Sequence, residues 1–175
     1  MELPFDDRAK HWYAAGFCVA VALLAWGLDG FVPLLGHVDF GIHELGHLLA
    51  MALPDSAMLL AGSVLQVAVP VALSVYFWKW RDDTVAATVT LAWAGASLIN
   101  VGVYVADAQL QQLPIIGSRH DWATLLGRWG MVDMAPNFGG LLGAIGYIAI
   151  GSAAILAVIP LVSRRPESRR VPING

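Results

Sequence analysis

Residues 42–51 read "IHELGHLLAM", and within them His43, Glu44 and His47 fit the pattern H-E-x-x-H. On a helix, side chains four residues apart share a face, so the two imidazoles can close on a single metal ion. The glutamate beside them can reach a water bound to that ion and serve as general base, which makes Glu44 the candidate catalytic residue. Zinc is the natural ion: it takes imidazole ligands and lowers the pKa of a bound water toward about 7, giving a nucleophile at neutral pH. Three ionisable groups within five residues of an otherwise apolar segment are costly unless paired or functional. The competing reading is a hydrogen-bonded polar cluster inside a helix bundle, with no ion.

The elements that must position these residues belong to a membrane protein. Of 175 residues 58% are hydrophobic and only 13% charged, more apolar surface than a soluble domain of this size buries. The expected fold class is all-α, a polytopic membrane helical bundle. Residues 1–163 are read as one integral membrane domain and 164–175 as a basic C-terminal tail. A formal charge of −3, with no basic stretch interleaved with aromatics, gives nucleic-acid binding no support. The single cysteine, Cys18, lies in an apolar run, which excludes a disulfide framework and a thiolate metal cluster.

Apolar runs at 12–35, 56–78, 84–106 and 138–163 are each long enough to span. Trp12, Trp78, Trp80 and Trp122 fall near run ends, as an aromatic belt would place them. The motif block, 37–53, stops at Pro54 and would make about 25 Å of helix, marginal for a hydrocarbon core of about 30 Å. Loop charges discriminate between two arrangements. If the motif block enters and leaves on one face, Arg8, Lys10, Lys79, Arg81, Arg164, Arg165, Arg169 and Arg170 fall on one side and only Arg119 and Arg128 on the other. A full crossing, making five spans, divides the basic residues almost evenly. The expectation is four spans plus a re-entrant or buried motif helix, both termini cytoplasmic, in a bacterial-type inner or plasma membrane. The motif and the connection 106–137 then share the non-cytoplasmic side.

The residues "HELGH" in an apolar helix resemble the site-2 protease family of intramembrane zinc metalloproteases, including the glycine before the second histidine. The resemblance implies that His43 and His47 are zinc ligands, that Glu44 is the catalytic base, and that the substrate is a peptide bond of a membrane protein or peptide, in or near a membrane segment. That family takes a third ligand from an aspartate in a later membrane segment, within an asparagine-proline and aspartate-glycine pattern. Here the only "LDG", at 28–30, precedes the histidines.

A third metal ligand is therefore sought among later polar groups. Asn100, Tyr104, Asp107 and Gln111 make a polar stripe on one helical face, and Asp107 is its carboxylate. His120, in the following connection, is the other candidate ligand. Asp121 reads as the N-cap of a short amphipathic helix, or else as a group orienting a ligating histidine. Ser63, Gln66, Pro70 and Ser74 form a second stripe, and Gly139, Gly143 and Gly146 a small-residue face; both read as packing. Asp29 reads as a turn residue. The alternative function is a noncatalytic, peptidase-like subunit whose partners, besides the lipid bilayer, are other membrane subunits of a larger complex. A di-iron enzyme of the desaturase type is disfavoured, because five histidines with one i, i+4 pair cannot supply its histidine clusters.

Overall fold

The computed structural model describes residues 7–115 and 119–163, and every regular element among them is helical. In chain order these are α1 (Asp7–Gly27), α2 (Leu35–Leu49), α3 (Asp55–Trp80), α4 (Thr84–Ala106), α5 (Asp121–Arg128) and α6 (Ala135–Ser163), the last preceded by a 3-10 turn at Val132–Met134. α3, α4 and the helix beginning at the 3-10 turn are long and apolar enough to cross a membrane. The described residues form a helical bundle with the character of a membrane protein. The tail 164–175 lies outside the described residues.

The first apolar run does not stay helical to its end. α1 stops at Gly27, and residues 28–34 turn, with Asp29, Gly30 and Leu34 at positive φ (46°, 83° and 69°). Asp29 is thus the turn residue its type suggests. The Gly30 carbonyl and α-carbon press against α4, where a Cβ would lie 2.8 Å from Cγ2 of Val103, so no larger residue fits without a shift. Val32 then enters the main core beside Val21, Ala25, Ala96 and Ile99.

This dip sets the course of α2. With 15 residues it is about 22 Å long, too short to cross a hydrocarbon core. It starts deep in the bundle, where the Asp39 carboxylate accepts hydrogen bonds from Trp93 Nε1 (2.7 Å) and Ser97 Oγ (2.9 Å) near the middle of α4. It ends beside Met58, in the first turn of α3. At the crossing of α2 and α3 a Cβ on Gly46 would lie 2.8 Å from Cα of Gly62 and collide with the Ala61 carbonyl. The glycine of "HELGH" is therefore a close-approach residue that brings the two backbones together.

α4 is the central helix. Its Asp83 side chain caps the N-terminus, accepting from Ala86 N–H at 2.9 Å. On one face Gly95 and Gly102 meet the antiparallel α6: a Cβ on Gly95 would sit 2.6 Å from the Gly146 carbonyl, and one on Gly102 2.7 Å from that of Gly139. The small-residue face of the last helix is thus a contact between backbones, although Gly143 and Gly140 themselves face open space. Trp78 and Trp80 are exposed at the end of α3, as a belt position requires, and Trp12 is exposed too. Trp122 is not: it packs with Val101, Val105 and Leu126, and its Nε1 donates to Ser63 Oγ at 3.0 Å. An amphipathic ring with one hydrogen-bonding atom suits that interior seat as well as an interface.

Candidate metal centre

One helix positions the motif. His43 and Gly46 are buried on the inner face of α2, His47 is half-buried, and Glu44 is exposed to a cavity of about 400 Å³. The cavity is walled by Phe31, Phe40, Leu113 and Ile115 on its apolar sides. One ligand atom from each of His43, Glu44 and His47 lies within 4.8 Å of the others.

The nearer carboxylate is one the sequence assigned to other work. Asp121 Oδ2 lies 3.3 Å from His43 Nε2 and 3.2 Å from His47 Nε2. Metal-ligand bonds of about 2.0–2.1 Å in tetrahedral arrangement set ligand atoms about 3.3 Å apart, so these separations are the edges of a zinc-sized site. Between the same two nitrogens α3 contributes empty space: a Cβ on Gly62 would lie 2.7 Å from both Nε2 atoms. A side chain there would crowd both imidazole nitrogens.

Hydrogen bonds on the far side of each ring state which nitrogen is free. His47 Nδ1 lies 2.9 Å from the Met58 carbonyl, which can only accept, so Nδ1 carries the proton and Nε2 a lone pair. His43 Nδ1 lies 3.1 Å from Gln66 Oε1. Two ring lone pairs and a carboxylate oxygen thus converge within about van der Waals distance. Three acceptors repel one another unless a metal cation or a shared proton lies between them, and two imidazoles with a carboxylate are a donor set that suits zinc.

Asp121 reaches the histidines because it is the first residue of α5 rather than its cap. The N-cap is His120, whose Nδ1 accepts from Ala123 N–H at 3.2 Å, so the aspartate side chain is released toward α2. Tyr104 holds it from both ends, donating its hydroxyl proton to Oδ2 (3.3 Å) and accepting from the Asp121 backbone N–H (3.1 Å). Burial works against a charge on Asp121, but its contacts with His43, His47 and Tyr104 outweigh it, and the carboxyl titrates below its ordinary value.

Asp107 and His120 are brought together, but as a pair of their own. Asp107 accepts from the backbone N–H groups of Gln112 (2.8 Å) and Leu113 (3.0 Å), closing the end of α4. Its Oδ2 lies 3.4 Å from His120 Nε2. His120 is buried, stacks on Tyr104 with ring centroids 4.3 Å apart, and is held below its usual pKa by burial, against the opposing pull of Asp107. Its Nδ1 is occupied by the cap, so Asp107 and His120 lie together at the base of α5, apart from the cluster of His43, His47 and Asp121. Of the stripe on α4, Asn100 and Tyr104 face the centre, while Gln111 lies in an exposed turn at φ 51°. Gln66 does more than pack, since it contacts the His43 ring directly. Comparison of the chain with protein-family models, with curated proteins and with solved structures gives no match in any of the three.

Proposed function

We propose that the protein is a membrane-embedded zinc metallopeptidase of the site-2 protease type, hydrolysing a peptide bond in or beside a membrane segment of a protein or peptide substrate. The observation that carries the reading is the convergence of His43 Nε2, His47 Nε2 and Asp121 Oδ2 at zinc-ligand spacing, with Glu44 free at the cavity wall. His43, His47 and Asp121 would hold the ion. When bound, zinc would supply a polarised carbonyl and a water acidic enough to deprotonate near neutral pH. Glu44, which carries no side-chain hydrogen bond among the described residues, takes the proton of the attacking water and hands it to the leaving amine. Tyr104 keeps the Asp121 carboxylate turned to the histidines, and the apolar walls at Phe31, Phe40, Leu113 and Ile115 restrict water.

The topology that suits this chemistry has four spans, α1, α3, α4 and α6, with α2 as a re-entrant helix and both termini cytoplasmic in a bacterial-type inner or plasma membrane. Its support is the course of α2, whose side-chain contacts run from mid-α4 at Trp93 and Ser97 only to the first turn of α3 at Met58. Cysteines at Ala52 and Asp133 should be labelled from the same, non-cytoplasmic side, and the native Cys18 is buried and silent. Labelling from opposite sides excludes the re-entrant arrangement.

Metal analysis of the purified chain tests the chemistry. Near-stoichiometric zinc is expected, retained in Glu44→Gln while cleavage of a membrane substrate is abolished. A metal-free chain purified within a stable assembly would transfer the reading to a noncatalytic subunit.

A further inference from the structure

A chain of amides runs from the buried end of the motif to a backbone carbonyl in the turn after α1. Asn100 Nδ2 lies 3.5 Å from the Gly30 carbonyl oxygen; Gln66 Nε2 lies 3.0 Å from Asn100 Oδ1; and Gln66 Oε1 lies 3.1 Å from His43 Nδ1. Each side-chain amide has one accepting and one donating end, so the chain has a direction, and one fixed end decides it. The Gly30 carbonyl is that end, because it can only accept. Asn100 must then turn its nitrogen to Gly30 and its oxygen to Gln66. Gln66 must turn its nitrogen to Asn100 and its oxygen to His43, and His43 Nδ1 must donate.

We propose that Gln66 and Asn100 are positioning residues that select the ligating tautomer of His43, reading its direction from the Gly30 carbonyl. The inference rests on the reading of the site as a metal centre but not on peptidase activity. The two histidines are set by different means. His47 donates to the Met58 carbonyl directly, whereas His43 reaches its carbonyl through two side chains. The relay is buried or half-buried throughout, where one reversed amide would oppose like ends at both of its links and reversal of the whole chain would set two oxygens against each other at Gly30, so its direction is worth more than it would be in water. Gly30 is fitted to this turn: its φ is positive and a Cβ there would meet Val103, so glycine suits the place from which its carbonyl faces Asn100. Such an outer hydrogen bond orients the ring and raises the basicity of the ligating nitrogen, and losing it costs metal sites about 10–100-fold in affinity.

The test uses the full chain in detergent, with two readouts. Nitrogen-15 spectra of the metal-free protein report the His43 tautomer, its signal identified by its loss in His43→Asn. Competition with a chromophoric chelator reports zinc affinity. In the wild type His43 Nδ1 should carry a proton, whatever the state of Nε2 beside Asp121. Gln66→Leu, or Gln66→Met should leucine disturb folding, should mix the tautomers and weaken zinc by about 10–100-fold. Gln66→Glu keeps an acceptor on His43 Nδ1 and should hold both readouts near wild type. Asn100→Ala lets Gln66 turn over and should weaken zinc by about tenfold, but should add nothing in the Gln66→Leu background, because it acts through Gln66. Unchanged His43 tautomer and zinc affinity in Gln66→Leu and Gln66→Met would overturn the proposal, as would an Asn100→Ala effect that persists without Gln66. A wild type that binds no zinc yet shows the tautomer and its loss in Gln66→Leu would remove the metal reading and leave the relay standing.

Discussion

Two glycine contacts in the bundle, one between α4 and α6 and one between α2 and α3, serve opposite ends. Toward α6, Gly95 and Gly102 sit against the carbonyls of Gly146 and Gly139, and the closeness is filled by backbone. The sides of that contact are apolar, and a cavity of about 550 Å³ beside it is lined mainly by glycine, alanine and hydrophobic residues. Between α2 and α3, Gly46 and Gly62 also bring backbones together, but Gly62 opens onto the two histidine nitrogens. There the space is bordered by His43, His47, Asp121 and Gln66, whose polar atoms meet one another or a backbone carbonyl. A glycine contact in a membrane bundle is therefore ambiguous by itself. What its missing Cβ would touch, carbonyls or lone pairs, separates scaffold from site.

The largest effect should come from the ligand itself. Asp121→Ala should leave the purified chain without measurable zinc, as His43→Ala and His47→Ala should, since each removes one corner of a three-residue set. Asp107→Ala should retain most of its zinc. Metal content by mass spectrometry compares the four, and equal loss in Asp107→Ala would return Asp107 to the ligand set and break the division between the centre and the pair behind it.

Next come the glycines, where the comparison can be tested with one type of substitution. Gly62→Ala places a methyl group 2.7 Å from both Nε2 atoms, so zinc affinity should fall by about a hundredfold or more with the fold retained. Gly102→Ala forces α4 and α6 apart and should cost about 1–3 kcal/mol of stability, with zinc per folded molecule unchanged. Thermal unfolding and chelator competition on both variants give a two-by-two outcome. The contrast fails if both variants lose zinc, or both lose only stability.

How much of this was legible before the structure follows from which signals are local. The H-E-x-x-H helix, the long apolar spans and the glycine face of α6 are periodic patterns within one element, and they read directly. The approach of Asp121 to the histidines does not, because His43 and Asp121 are 78 positions apart and the sequence between Asp107 and His120 has no period to orient its side chains. The register of α5 misled by one residue. Serine, threonine, aspartate and asparagine are the usual caps, so Asp121 was the natural choice, yet the ring nitrogen of His120 takes that place and releases the carboxylate. Gln66 was hidden in a stripe whose four members, Ser63, Gln66, Pro70 and Ser74, are all buried. Ser74 does what packing predicts, donating to the Ala87 carbonyl. Only the partner on the other side distinguishes Gln66 from it. A useful signal was present in "RHDW", a carboxylate beside a histidine on the side of the membrane that the loop charges gave to the motif.

A smaller effect is expected one layer behind the ligand. His120→Ala removes the α5 cap and the stacking partner of Tyr104, which should cost about 1 kcal/mol and lower zinc affinity about tenfold by loosening Asp121. His120→Asn restores a capping oxygen and should recover most of the stability, which a ligand role for the imidazole would not permit for the zinc.

The smallest effect should come from the most conspicuous ion pairs. Asp55, at the start of α3, meets Arg119 at 3.2 Å and Arg128 closer still, so one carboxylate ties both ends of the α5 segment to the bundle. All three side chains are more than 40% exposed. Charges in such positions are hydrated before and after pairing, and salt screens what attraction remains over about 8 Å at physiological strength. Asp121, by contrast, is held by Tyr104 and the α5 backbone in a buried setting that salt does not reach. Asp55→Asn should therefore leave zinc content and cleavage at wild-type values, with a slightly lower melting temperature at low salt that vanishes at high salt. A loss of zinc in this variant would mean that α5 is kept in place from its exposed edge, and the distinction between an interior that positions and a surface that merely pairs would have to be given up for this helix.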